Sequence, residues 1–537
     1  MRARAKLPES LLWAAASLCV VLAVVLGLMH GNLDSVRVAD VVRPLAVLGT
    51  AAVALTLALM ALWPTAGRLV PAALYAFFSF HDLQGLFAAI GSEELLAGLV
   101  VVSCPLAFHV VLRRVDATRA AVYTLTAGAA VVVSVLVRTA PTAFYAPPPA
   151  VDEDFQRQTL AAVARHGGGA AELPDIIYVV PDRYPSGPTL AGEFNFDNRA
   201  FYAALRRRGF LVSENARANY PKTFLSLAST LNGGYLGNFT AAYGPDTPDK
   251  RPIFEVMEDN IVQDRLRRLG YRFHNYGNWW EPTRVNRFAE VNDSGYPPDS
   301  LHDLSEFERA LFLKTPVRRL VRSMAGTDGK MECRRIRRKF QRLAEVGNED
   351  RPVFVFAHTL VPHSPIVMDA EGRCLPRYVI YARDRTASWP QFKAAYIEYL
   401  KYFNRTILRV IDRQIARRGR NGRQLLFVIQ SDEGPFPKSL REAMKDYDLT
   451  TLTPRQIVMK TGIINAIRLP NGPVGAGQPP LTPVNNWRLI FNALTGSKMK
   501  MLPDNVFIFP TEGSLYRFCD VTALATGEET PVKTCAN

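Results

Sequence analysis

The chain has 537 residues, 48% of them hydrophobic, and a formal net charge of +15. That length exceeds one typical domain, and the charge invites a nucleic-acid partner that the rest of the sequence excludes. No zinc-finger spacing or RNA-binding signature is present, and aromatic residues are not interleaved with one basic stripe. Basic runs at 206–208 and 334–339 read as solvated helix faces, and attraction to anionic lipid headgroups fits the apolar N-terminus better.

The apolar residues are concentrated in positions 1–140. A first run, 11–28, follows Arg2, Arg4 and Lys6 and has the look of a signal peptide. Four further runs, at 45–63, 69–90, 95–112 and 120–137, make it a first membrane helix instead. Each approaches the ~20 residues that cross a bilayer. His81 and Asp82 interrupt the third, either near an interface or bundle cap or in contact with a substrate path. With the N-terminus inside, the inner loops carry Arg2, Arg4, Lys6, Arg68, Arg113, Arg114 and Arg119. The outer loops carry Arg37 and Arg43 with Glu93 and Glu94, which is the positive-inside bias. Five spans then deliver residue 139 onward to the outer face of a bacterial inner membrane.

A Pro- and Ala-rich exit at 141–149 precedes a helical pattern at 152–166, suited to lying along the membrane surface, and a flexible joint at 167–171. The expected division is therefore a transmembrane domain 1–140, a linker 141–173 and an extracytoplasmic domain 174–537. Cys19 and Cys104 lie in apolar runs and read as inert packing residues. Cys333, Cys374, Cys519 and Cys535 form no CxxC, and outside the cytoplasm they permit disulfides. Of three pairings, 333–374 with 519–535 is the simplest.

From residue 174 the pattern alternates strand and helix, as in an α/β sheet domain. Strands are expected at 176–180, 210–213, 272–276, 353–357 and 425–430, and helices at 198–208, 261–269, 304–313, 333–344, 392–417 and 486–494. Polar groups stand where open sheets place chemistry. Asp182 follows the first strand in YVVPD. Thr223 opens a small-residue helix after Asn219-Tyr220-Pro221. His358 and His363 follow VFVFA, and Asp432 and Glu433 follow LLFVIQ. Taken singly, each is a turn residue, a helix cap or a core histidine; taken together, in order and each at an element's end, they point to a site. Oxygen ligands suit a hard divalent cation, and a hydroxyl beside a metal becomes a nucleophile because its pKa falls.

The segments YVVPD, GFLVSENARANYPKTFLSLASTLN, FAHTLVPHSP, FVIQSDEGP and TPVNNWRLIFN resemble the sulfatase and alkaline-phosphatase superfamily. Within it they resemble membrane-anchored lipoteichoic acid synthases and lipid A phosphoethanolamine transferases. The resemblance implies five membrane helices followed by an α/β sandwich domain. It implies Thr223, in a T-x-x-S pattern with Ser226, as the nucleophile, and Asp182, Thr223, Asp432 and Glu433 as metal ligands. It assigns His358 and His363 to holding the transferred phosphate.

This chain departs from the family at Glu433, where a metal-binding His is usual. Carboxylates and a hydroxyl make a harder site, so one divalent ion is expected, manganese, magnesium or calcium in preference to zinc. A formylglycine sulfatase is excluded, because the nearest string, Cys374-Leu375-Pro376-Arg377, brings its Arg one residue too early and Thr223 holds the nucleophile position. Lys222 and Arg183 stand ready to neutralise phosphate oxygens or to form salt bridges. Trp279 and Trp280 read as lining an acceptor cleft, dipping into the interface or packing in the core. The expected activity moves a headgroup of the phosphoethanolamine or phosphoglycerol type from a membrane phospholipid donor to a glycan or lipid acceptor of the envelope. The alternatives are a phosphoester or sulfoester hydrolase and a non-catalytic binding protein with a degenerate metal site.

Overall fold

The computed structural model describes residues 8–87, 93–166, 172–296, 304–318, 329–347, 349–381, 387–421, 423–443, 447–470, 472, 480–527 and 535. The chain divides into two units, Met1–Ala146 with Ser300–Ala325, and Pro147–Asp299 with Gly326–Asn537.

Three helices of the first unit, Glu9–His30, Val38–Leu62 and Ala117–Ala143, are long and apolar enough to cross a membrane. The other two expected spans are helical. The third is split at Ser79 into Pro64–Phe78 and Phe80–Phe87, and its end at 88–90 lies outside the described residues. The fourth is the helix Glu93–Leu112, apolar along Leu96–Leu112. Among the described residues, three helices are thus long and apolar enough to span, against the five spans expected. Where the third breaks, Asp82 is paired with Lys314 at 3.1 Å, and Lys314 O accepts the His81 backbone N–H. Lys314 closes the helix Glu306–Leu313, whose Phe307 and Leu311 pack among the apolar helices. A segment expected in the extracytoplasmic domain thus belongs to the N-terminal unit, because its apolar face finds cover there.

The second unit is built on a seven-stranded sheet. Its strands are β1 (Asp175–Pro181), β2 (Phe210–Ser213), β3 (Arg272–Tyr276), β4 (Val291–Asn292), β5 (Val353–Thr359), β8 (Leu425–Gln430) and β9 (Asn465–Arg468), in the order β2-β9-β8-β1-β5-β3-β4. Two small two-stranded sheets pair β6 (Ile366–Met368) with β7 (Cys374–Val379), and β10 (Phe507–Ile508) with β11 (Cys519–Asp520). β1 lies centrally, parallel to β5 and β8. All its residues are buried, as its unbroken apolar run requires of a strand covered on both faces. Ile176, Tyr178 and Val180 face one core, and Ile177 and Val179 the other.

On the first face Tyr178 stacks on Trp487, centroids 5.3 Å apart, below the helix Asn486–Thr495. On the second, helices Lys330–Glu345 and Trp389–Asn421 contribute Phe340, Tyr396 and Phe403. Helix Glu153–Arg165 packs on the first face. Asp152 caps it and pairs with Arg488 at 2.6 Å, and Phe155 is fully buried in the first core. Its apolar face is occupied by the domain itself, where sequence placed it on the membrane surface. The joint expected at 167–171 lies outside the described residues. Disulfides join Cys333 to Cys374 and Cys519 to Cys535.

Candidate active site

Because β1, β5 and β8 are parallel neighbours, their carboxyl ends open on one edge of the sheet. That edge collects Asp182, His358 and Asp432, whose donor atoms all lie within 4.8 Å of one another. Asp182 prolongs β1, its N–H donating to Thr359 O at 2.9 Å. Arg183 then adopts a left-handed φ of 63°, a conformation uncommon outside glycine. That turn aims its backbone N–H at Asp432 Oδ1, 3.0 Å away, while Tyr184 N–H reaches Ser431 Oγ at 2.8 Å. The two strand ends are thereby tied together.

Thr223 arrives from a different direction. Asn219 fixes the preceding turn, donating to Asn505 O at 2.8 Å and accepting from Val484 N–H at 3.0 Å. Pro221 follows, and the helix Thr223–Leu231 starts with the Thr223 side chain at its mouth. Its hydroxyl donates to Asp432 Oδ2 at 2.6 Å. Ser226, of the T-x-x-S pattern, lies buried one turn deeper in the helix.

The site's electrostatics follow from its dryness. Burial, with the charge of Glu433 adding to it, pushes Asp182 up to about 7 against the pull of Arg183. Burial, then Asp182 and Glu433, push Asp432 up to about 7. His358 is driven down to about 4 by burial, and His363 well below its ordinary value by burial and then by Arg183 and Arg441. Asp182 Oδ1 and His358 Nε2 are shut off from solvent and have no hydrogen-bond partner. Two carboxylates that repel one another, with Asp182 Oδ1 buried and unpartnered, fit a divalent cation, which would keep both ionised. The donors that fit are Asp182, Asp432 and the Thr223 hydroxyl, with His358 beside them.

Glu433 is placed otherwise than the ligand role expects. Its carboxylate accepts from the Lys460 ammonium and, at 2.9 Å, from Arg183 Nε; Glu433 and Lys460 are buried and Arg183 is mostly so. Burial alone would raise this carboxyl, but Lys460 and Arg183 outweigh it and hold Glu433 below its ordinary value. Phe436 carries both cations on its ring, Arg183 and Lys460 each 4.1 Å from the centroid. Lys222 pairs with Glu512 at 3.0 Å. His363 keeps a solvent-shielded Nδ1 without a partner.

Several residues around His358 escaped the sequence reading. Asn278 and Thr283 each approach its Nδ1 at 2.9 Å, and Lys339 donates to its carbonyl; Trp280, one of the two tryptophans singled out in the sequence, meets its ring edge-on at 5.8 Å. Asn278 had one signal, its position just past β3 on the same sheet edge. Lys460 sits on a helix far along the chain and had none, and Lys339, read in the basic run 334–339 as part of a solvated helix face, is buried together with Arg335.

No protein-family model and no curated protein matches the sequence. Among solved structures the chain is similar to the C-terminal periplasmic domain of EcEptC from Escherichia coli in complex with Zn, at 12% identity and a TM-score of 0.36, covering 63% of this chain and 90% of that one. It is similar to the putative sulfatase yidJ from Bacteroides fragilis at 14% identity and a TM-score of 0.33, over 63% and 81% of the two chains. It is also similar to the integral membrane lipooligosaccharide phosphoethanolamine transferase A from Neisseria meningitidis, at 12% identity and a TM-score of 0.26, over 86% and 87%.

Proposed function

We propose that the protein is a metal-dependent transferase at the outer face of the inner membrane, moving a phospholipid headgroup to an envelope glycan or lipid through a phosphothreonine intermediate. The observation that carries this reading is the Thr223 hydroxyl donating to Asp432 at 2.6 Å, beside Asp182 and His358. The sequence segments resembling the sulfatase and alkaline-phosphatase superfamily support it, and the three apolar helices support a membrane location.

Asp182, Asp432 and Thr223 Oγ would hold the cation, which when bound lowers the pKa of the hydroxyl and neutralises phosphoryl oxygens. Asp432 Oδ2 already receives the Thr223 hydrogen bond and is the acceptor for its proton. The freed Oγ attacks phosphorus, the bond from phosphorus to the diacylglycerol oxygen breaks, and that oxygen leaves with the proton held by Asp432. His358 and His363 would donate hydrogen bonds to the developing charge. An acceptor hydroxyl, giving its proton to Asp432, then displaces Thr223, whose Oγ takes that proton back. Glu433 acts from behind, fixing Arg183 and Lys460 rather than the metal.

The test is incubation of the purified full-length protein with headgroup-labelled phospholipid vesicles. Label on a peptide containing Thr223 that passes to added envelope glycan supports a transferase. Label passing only to water identifies a hydrolase, and no labelling in the presence of metal removes the reading.

A further inference from the structure

His358 faces a choice that decides its chemistry. A neutral imidazole has one N–H and one lone pair. A metal takes the lone pair, whereas an anionic oxygen takes the N–H. Nε2 is the atom turned to the carboxylates, 3.7 Å from Asp182 Oδ2, so the state of Nδ1 on the far side of the ring determines which of the two it offers.

Nδ1 meets Asn278. A side-chain amide is oriented by its hydrogen bonds, and here two contacts orient it the same way. The backbone N–H of Trp280, which only donates, lies 2.7 Å from one end of the amide, so that end is Oδ1. The other end lies 3.4 Å from the carbonyl oxygen of His358, which only accepts, so that end is the NH2 group. The same NH2 lies 2.9 Å from Nδ1. An NH2 donates, hence Nδ1 presents its lone pair and the ring proton sits on Nε2. Thr283, whose hydroxyl is also 2.9 Å from Nδ1, can donate to that lone pair. Asn278 and His358 are both fully buried, so water does not substitute for these partners. Turning the tautomer over would set an N–H against the NH2 and lose the hydrogen bond.

We propose that Asn278 is a positioning residue that locks His358 as the Nε2–H tautomer, making it a hydrogen-bond donor to an oxygen of a tetrahedral oxyanion and keeping it out of the metal's coordination sphere. The Nε2–H, buried and otherwise partnerless, is satisfied when such an oxygen arrives. Lys339 and Asn278 hold the residue's carbonyl from behind, so the ring is fixed in place as well as in protonation. The inference rests on the proposed reading only for the identity of the oxyanion as a phosphoester.

The experiment is magic-angle-spinning NMR of the full chain in lipid bilayers, labelled with 13C,15N-histidine. The His358 signals are assigned by their loss in His358→Gln. A protonated Nε2 and a bare Nδ1 are expected, unchanged on adding zinc, with the Nε2–H proton shifting on adding inorganic phosphate in the presence of zinc. A protonated Nδ1, loss of the Nε2 proton with zinc, or no response to phosphate overturns the proposal. In Asn278→Asp the new carboxylate accepts only from Nδ1–H, which turns the lone pair of Nε2 to the site. Zinc affinity is then expected to rise about tenfold, the lower end of what partners behind a ligating His contribute. Asn278→Asp with unchanged tautomer counts against the assignment. These readouts need no turnover, so an inactive protein with Nε2–H defeats the transferase reading alone, and an active one with Nδ1–H defeats this inference alone.

Discussion

The Lys460 ammonium donates to the carboxylate of Glu433, and both side chains are shut away from solvent. With Arg183 on the other carboxylate oxygen, Glu433 anchors two cations at the position where it was expected to bind metal. Removing one partner from a buried pair leaves an uncompensated charge, which costs more than the pair itself contributes. Glu433→Gln is therefore expected to destabilise the second unit by about 3–5 kcal/mol. Glu433→Gln with Lys460→Met should recover part of that loss, short of full recovery because Arg183 remains unpaired. Denaturant unfolding of the set measures it, and additive losses would remove the coupling.

Thr223→Ala should lower turnover on the order of 10³-fold or more and abolish covalent labelling, since no other hydroxyl is hydrogen-bonded to Asp432 Oδ2 among the described residues. Thr223→Ser should retain labelling. Side-by-side transfer assays, with unfolding curves to confirm folding, decide the matter.

Metal binding should be strongly pH-dependent. Asp182 and Asp432 have folded-state values of about 7 against a usual 3.8, so between those limits the folded metal-free protein holds more protons than the unfolded chain. These two groups then cost stability as pH rises through that window. His358, at about 4 against 6.5, works in the opposite sense over its own window. A cation competes with the two carboxyl protons, so apparent affinity should weaken roughly tenfold per pH unit below 7 for each proton displaced. Calorimetric titration between pH 5 and 8 reads the slope directly, and Asp432→Asn should flatten it.

Gly434→Ala should impair folding of the site. A Cβ there would lie 2.2 Å from Met459 O and 2.8 Å from Lys460 O, both backbone atoms that do not swing aside. A loss of about 2 kcal/mol or more is expected, and activity should fall further, because the strain moves Asp432 and Glu433. Thermal unfolding compared with transfer rate separates the two effects.

Phe155→Ala tests the placement of the helix Glu153–Arg165. Phe155 is fully buried against Phe491, ring centroids 6.0 Å apart. Truncation should cost about 3–5 kcal/mol. A helix lying on the membrane would instead lose vesicle binding with little change in stability, which vesicle flotation detects.

The strands at 210–213, 272–276 and 425–430 were legible to the residue, because buried β-branched and aromatic runs bounded by turns have few other fates. Asp182, Thr223, His358 and Asp432 were legible as a set because each stands at an element's end. Chain order alone marks such positions once strands and helices alternate. Glu433 was misplaced because sequence names a residue without its partners. Lys460 and Arg183 reach it from 27 positions downstream and 250 upstream along the chain. The helix at 153–165 and the segment 306–313 show the same limit, since an amphipathic face announces that it needs cover and leaves open what provides it. Sequence determined where strands and helices form and which of their ends hold the candidate residues, through periodicity and turn residues acting locally. Tertiary structure decided which charges neutralise one another and which ring nitrogen of His358 holds the proton. Those outcomes depend on ångström distances between residues that only the packed sheet brings together.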